Sequence, residues 1–148
     1  MEELSDKVLV VNRISKKVKG GDKIRFAALV AVGNRQGKVG LGYGKAADLR
    51  SAIGKATSQA KKKIFTVAMR GTTIPRRVVV NDGAAKILLA PAPKGAGLIS
   101  GGAVRDVLEL AGIADISTKI LGTDNPIINA QATVAALKEL AQKSNGTK

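Results

Sequence analysis

Gly37-Lys38-Val39-Gly40-Leu41-Gly42-Tyr43-Gly44-Lys45-Ala46 is the stretch at which the periodicity of the chain changes. Up to Tyr43, apolar Val39 and Leu41 alternate with outward residues, the period of two that marks a β-strand. From about Ala46 onward Leu49, Ile53, Ala56, Ala60, Ile64 and Val67 recur at three- and four-residue steps, which predicts a helix with one apolar stripe. Reading backwards, Gly33-Asn34-Arg35-Gln36-Gly37 is a turn, and Ile24 to Val32 is a second apolar strand. Val8, Val10 and Ile14 begin a loosely alternating first strand. It ends at Lys16-Lys17-Val18-Lys19-Gly20-Gly21-Asp22-Lys23, where the glycine pair and the aspartate mark a basic hairpin tip. Residues 4–70 therefore read as an antiparallel three-stranded meander followed by a helix, β-β-β-α.

Thr72-Thr73-Ile74-Pro75 is the expected connector, because Pro75 fixes the chain locally and no helical period crosses it. Beyond it, Arg76 to Val80 and Ala85 to Leu89 are β-prone runs split by the hairpin signal Asn81-Asp82-Gly83. Ala90 to Gly97 is a loop, and Ser100 is placed to cap a helix with Val104, Val107, Leu108 and Ala111 inward and Gly112 at its end. Asp115 to Leu121 is a further strand. Asn125-Pro126 opens a last helix with Ile127, Ala130, Val134, Leu137 and Ala141 on its stripe. Residues 71–143 thus read as β-β-α-β-α, with 144–148 as a flexible tail. The fold class is α+β in two small domains.

The 148 residues carry 25 Lys and Arg against 11 Asp and Glu, a net +14, with no Cys and no His. Disulfides, thiolate metal sites and the commonest general base are excluded, so no metal and no cofactor is expected and most hydrolytic chemistry lacks its usual actors. The longest apolar runs are too short to span a bilayer, and Met1-Glu2-Glu3 opens no targeting signal, so no membrane is expected and the location is read as cytoplasmic. Charge is not evenly spread. Residues 1–80 hold 18 basic and 5 acidic side chains, residues 81–148 hold 7 and 6. A net +13 over 80 residues is more than one solvated basic face requires, and it implies a nucleic acid partner for the first half and a different task for the second.

Three regions are expected to meet RNA. The hairpin supplies Arg13, Ser15, Lys16, Lys17, Lys19, Lys23 and Arg25, with Gly20 and Gly21 admitting a phosphate close to the backbone. Gly40 to Lys45 reads as a glycine loop leading into a helix, where free amides, Gly44 and the Lys45 charge favour an anion. Lys61-Lys62-Lys63 is the third, though lysines at a helix C-terminus are accounted for equally by the helix dipole. With Phe26, Tyr43 and Phe65 the only aromatic residues, phosphate and shape recognition of folded RNA is favoured over a stacking platform. The glycine loop fails the nucleotide templates: a P-loop needs glycine at Val39 and a hydroxyl at Ala46, and a dinucleotide fingerprint needs glycine at Lys45. A rival lies in Gly95-Ala96-Gly97-Leu98-Ile99-Ser100-Gly101-Gly102, which resembles the phosphate loop of the galactokinase and homoserine-kinase superfamily. No acid or base cluster flanks it, so no small-molecule substrate and no enzymatic activity is expected.

The motifs Val18-Lys19-Gly20-Gly21, Gly37 to Ala46, Thr73-Ile74-Pro75, Gly101-Gly102-Ala103-Val104-Arg105, Val107-Leu108-Glu109-Leu110-Ala111-Gly112 and Asn125-Pro126 together resemble the ribosomal protein S-five family of the bacterial small subunit, over residues 4 to 137 and in the family's order. The resemblance implies an N-terminal domain similar to double-stranded-RNA-binding folds and a C-terminal α/β domain that shares its fold, not its function, with the kinases above. It implies a structural constituent of the small ribosomal subunit that binds its rRNA, links body and head beside the path by which messenger RNA enters, and supports accuracy with ribosomal protein S-four, with S-eight as a second neighbour. By position, Ile14, Ser15, Lys16 and Gly21 correspond to the family's loop near the spectinomycin site, and Gly97 and Arg105 to its S-four interface. Three positions depart from the family: Asp22 stands where a basic residue is usual, Leu49-Arg50 where Val-Pro is common, and Asp106 where a small residue is usual. The short N-terminus is expected to suit a bacterial ribosome, with a processed or plastid-encoded organellar form as the alternative.

Overall fold

The computed structural model describes residues 4–146, with side chains at all of them except 16–18, 22, 82 and 141–146. Two four-stranded sheets alternate with helices. Strands β1 (Ser5–Val18), β2 (Gly21–Gly33), β3 (Lys38–Ala46) and the short β4 (Phe65–Thr66) form the first sheet in that order, all antiparallel. Helix α1 (Leu49–Lys62) packs on one face of it. Strands β5 (Val78–Asp82), β6 (Ala85–Pro91), β7 (Leu98–Ile99) and β8 (Ile116–Ile120) form the second sheet in the order β5-β6-β8-β7. Helices α2 (Gly102–Ala111) and α3 (Pro126–Gly146) pack on each other; α3 touches β5 and β6, and α2 reaches β1, β2 and β3.

The interface between α1 and the first sheet is built from small residues. Ala28, Val30, Val32 and Ala46 from the sheet meet Ala52, Ala56 and Ala60 from the helix. A Cβ placed on Gly40, Gly42 or Gly44 would come within 2.3, 2.0 and 2.6 Å of the carbonyl oxygens of Ala60, Ala56 and Ala52. The alternating glycines of β3 are therefore the sheet's half of a close approach between helix and sheet. The other face of the sheet contributes Leu29, Ala31 and Val39 to a larger cluster that continues through Leu108, Leu110, Ala136, Leu137 and Leu140 to Ile87, Leu89 and Ile116 of the second sheet. One apolar cluster thus crosses the boundary between the two halves. Ile74 of the connector is fully buried in it.

Several local expectations need correction. The first helix ends at Lys62, not near Val67, because Phe65 and Thr66 pair with Val39 and Lys38 at the sheet edge, and Val67 is buried in the larger cluster. Its N-cap is Asp48, whose carboxylate accepts from the Ser51 amide at 3.1 Å. Ser100 does not cap α2: Gly101 occupies that position without a side-chain bond, since Leu98 and Ile99 pair in parallel with Ile116 and Ser117 as β7, a strand too short to show a period. The β5–β6 turn is Gly83-Ala84, one residue later than the Asn-Asp-Gly signal, because Asp82 pairs with Ala85. Helix α3 runs on through Gly146, past the expected limit at 143; residues 147 and 148 of the expected tail lie outside the described residues. Its start is as read: Asn125 Oδ1 accepts from the Ile127 amide at 3.0 Å, ahead of Pro126 in the first turn.

One buried carboxylate ties the connector to the loop before β7. Asp115, 4% exposed, accepts from the amides of Gly95 at 3.1 Å and Gly97 at 2.8 Å, and from the Thr72 hydroxyl. The Thr72 bond first, then the Gly97 amide, hold the Asp115 carboxyl below its ordinary value against the opposing effect of burial.

Two outcomes follow from this packing. Gly42→Ala forces a side chain against backbone and should cost about 3 kcal/mol in chemical denaturation, whereas Gly54→Ala, with open space around it on the helix, should add about 1 kcal/mol; equal effects would refute the close approach as the reason for glycine in β3. Asp115→Asn should lower stability at neutral pH as its charge-assisted bonds weaken. Because folding depresses the carboxyl, its stabilisation is present above the unfolded value of 3.8 and disappears as pH falls through the folded one, so the gap between wild type and variant in thermal melts should close in acid.

Candidate nucleic-acid interface

Strands β1 and β2 are long enough to project as a hairpin beyond the packed layers. Their register pairs Ser15 with Ile24, Lys16 with Lys23 and Val18 with Gly21, leaving Lys19-Gly20 as a two-residue tip. Gly20 has φ +100° and Gly21 φ +143°, conformations that L side chains rarely adopt, and a Cβ on either would meet nothing within 4 Å. Backbone conformation, not crowding, explains the glycine pair. Arg13, Ser15, Lys19, Lys23 and Arg25 are exposed, as are Val11, Ile14 and Ile24 between them. Lys16 and Lys17 lie in β1 by register, and their side chains, like that of Asp22, lie outside those described.

The pleat distributes these charges over two faces. Residues directly opposite share a face, as do i and i+2. Lys23 and Arg25 therefore share a face with Ala27 and with its β3 partner Lys45. Arg13, paired with Phe26, and Ser15, paired with Ile24, lie on the other face, the one α1 covers farther along. An RNA backbone could run along either side of the hairpin or straddle its tip. The exposed run Lys61-Lys62-Lys63 stands at the C-terminal end of α1, with Lys63 as its C-cap.

The expected phosphate loop at Gly40–Lys45 is not a loop. It is β3, paired with β2 throughout, and Gly44 is buried against the Ala52 carbonyl. The Tyr43 amide donates to Gln59 Oε1 at 2.9 Å. Lys45 is exposed at the end of the strand, 5.8 Å from the Tyr43 ring centroid. Of the second region's expected anion-binding features, only the Lys45 charge stays exposed. Alternating glycine before a helix carries two readings in sequence, an anion loop or close packing, and the spacing of two in Gly40, Gly42 and Gly44 is the signal for a strand face.

The rival nucleotide site also closes. Asp115 takes the amides of Gly95 and Gly97 that a phosphate would need. The small cavity at the start of α2 is lined by Gly101, Gly102 and Asn129 but also by Asp124, whose charge opposes an anion. Gly97, at φ +86°, is held by Asp115 as the loop enters β7, and Arg105 is exposed on α2. Asp106, the family departure next to it, meets Lys7 of β1 at 2.7 Å, joining the two halves at the surface. Arg76 donates to the Glu139 carbonyl at 3.4 Å, which ties the connector to α3, while Arg77 is exposed.

Comparison with known families finds a match in each half of the chain. Residues 4–68 match the family described as ribosomal protein S5, N-terminal domain, and residues 80–146 match ribosomal protein S5, C-terminal domain. The boundary between the matches falls on the connector, where the chain leaves the first sheet and enters the second. That family is a structural, non-enzymatic one, and its members are RNA-binding constituents of the small ribosomal subunit. With both halves matched in order, the basic hairpin in the first and the paired helices in the second, the chain belongs to the ribosomal protein S5 family.

Proposed function

We propose that this chain acts without catalysis, holding small-subunit rRNA with residues 4–70 and docking on neighbouring proteins with residues 71–143. The observation that carries the reading is the projecting hairpin: among the described residues, Lys19, Lys23, Arg25 and Lys45 are exposed and take no carboxylate partner. A surface that leaves its cations unpaired is suited to a polyanion. In this reading the protein joins the body and head of the subunit beside the path of incoming messenger RNA in the cytoplasm. Gly97 and Arg105 face ribosomal protein S-four and support accuracy, S-eight is a second neighbour, and the Ile14–Gly21 tip reaches the rRNA near the spectinomycin site. The fused core supports the bridging part, since a rigid two-sheet body holds hairpin and protein-facing side at a fixed separation.

Lys19→Ala with Arg25→Ala should weaken binding to small-subunit rRNA and lower the slope of log affinity against log salt by roughly two units, about one for each phosphate left unneutralised. A slope identical to wild type in filter binding would remove the hairpin from the interface. Sedimentation of a cell extract at rising salt tests the wider reading: the chain should stay with the small subunit through washes that strip loosely bound factors.

A further inference from the structure

A cleft opens at the seam between the two halves. Its floor is Leu29, Leu41 and Val134; Tyr43, Gln59 and Lys63 line it from the first half, and Gln131 and Lys138 from α3. Its volume is about 210 Å³, and among the described residues no carboxylate lines it. Gln59 Oε1 is occupied by the Tyr43 amide, so its amide hydrogens remain as donors. Lys138, one of the few cations of the near-neutral second half, sits with Nζ 5.3 Å from the Phe65 ring centroid. Tyr43 and Lys45 share a face of β3 with Lys23 and Arg25, so the basic face of the hairpin leads along the sheet to the cleft.

We propose that this cleft takes an unpaired nucleotide of an RNA strand whose neighbouring backbone follows the Lys23–Arg25–Lys45 face. The base enters against the Tyr43 ring and the leucine floor, Gln59 and Gln131 meet its polar edge, and Lys63 and Lys138 neutralise the flanking phosphates. A flat base suits an apolar floor with one aromatic wall and carboxamides at its rim, whereas a duplex would present only backbone to so small an opening. The lining comes from both halves, so a bound nucleotide would brace the seam as well as be held by it. This inference rests on the RNA-binding reading above, and adds to it a single-stranded element and a contribution from α3.

Tyr43 is the sole tyrosine, so full-length protein labelled with meta-fluorotyrosine gives one fluorine NMR resonance that reports on this cleft. The probes are single-stranded tetra-uridylate, a blunt RNA duplex and inorganic phosphate. Tetra-uridylate should shift the resonance saturably, and Lys63→Ala with Lys138→Ala should weaken its apparent affinity by about tenfold or more. A resonance that tetra-uridylate leaves in place, or moves equally in the double variant, overturns the proposal. An equal shift with the duplex or with phosphate alone also overturns it, since the ligand would then not be an unpaired base. Failure here leaves the salt slope of the hairpin variants untouched, so the two readings fail separately.

Discussion

The turn between β2 and β3 closes on the end of α2, and the relation of the two halves depends on that junction. The last carbonyls of a helix have no partners within it. Here Leu110 and Ala111 receive the amides of Arg35 at 2.9 Å and Gly37 at 2.8 Å, from the other half of the chain. The approach is close enough that a Cβ on Gly33 would lie 2.2 Å from the Leu110 oxygen, and one on Gly112 would lie 2.3 Å from the Arg35 oxygen. Arg35 takes φ 60°, a conformation uncommon for a residue with a side chain, and Asn34 Oδ1 steadies the turn by accepting from the amides of Gln36 and Lys38. With the turn seated, Leu29, Ala31 and Val39 fall against the helices and the shared core closes.

That seating has a consequence for charge. The first half carries most of the excess positive charge, yet its inner sheet face is apolar and buried, so the cations are pushed outward onto the hairpin, the end of α1 and the rim of the seam. The second half is nearly neutral and supplies the layer that covers the sheet. Folding therefore sorts one chain into a strongly basic side and a nearly neutral one, without a long flexible linker. The Lys7–Asp106 pair joins the two halves again at the surface, while Asp115 ties the connector to the loop before β7.

Much of this is legible from residue order. The change of period at the third strand, the hairpin tip, the connector, the Gly112 stop and the Asn125-Pro126 start all rest on local rules, and each stands in the structure where local geometry alone dictates it. The corrected positions share another cause. Val67 continues a helical stripe in sequence but leaves the helix for the core, Ser100 has the chemistry of a cap but follows a two-residue strand, and Gly44 has the look of a loop residue although α1 lies on it. In each case a partner distant in sequence decides the outcome.

What the sequence by itself determined is the order of the longer elements, without the two-residue β4 and β7, and the concentration of basic residues in the first half, because periodicity, turn chemistry and charge are properties of neighbouring residues. Only the tertiary structure decided which face each charge takes, that the glycines of β3 serve packing, and that Tyr43, Lys63 and Lys138 meet across a seam. Those facts depend on register and on the meeting of segments tens of residues apart, and no local pattern encodes the distance between them.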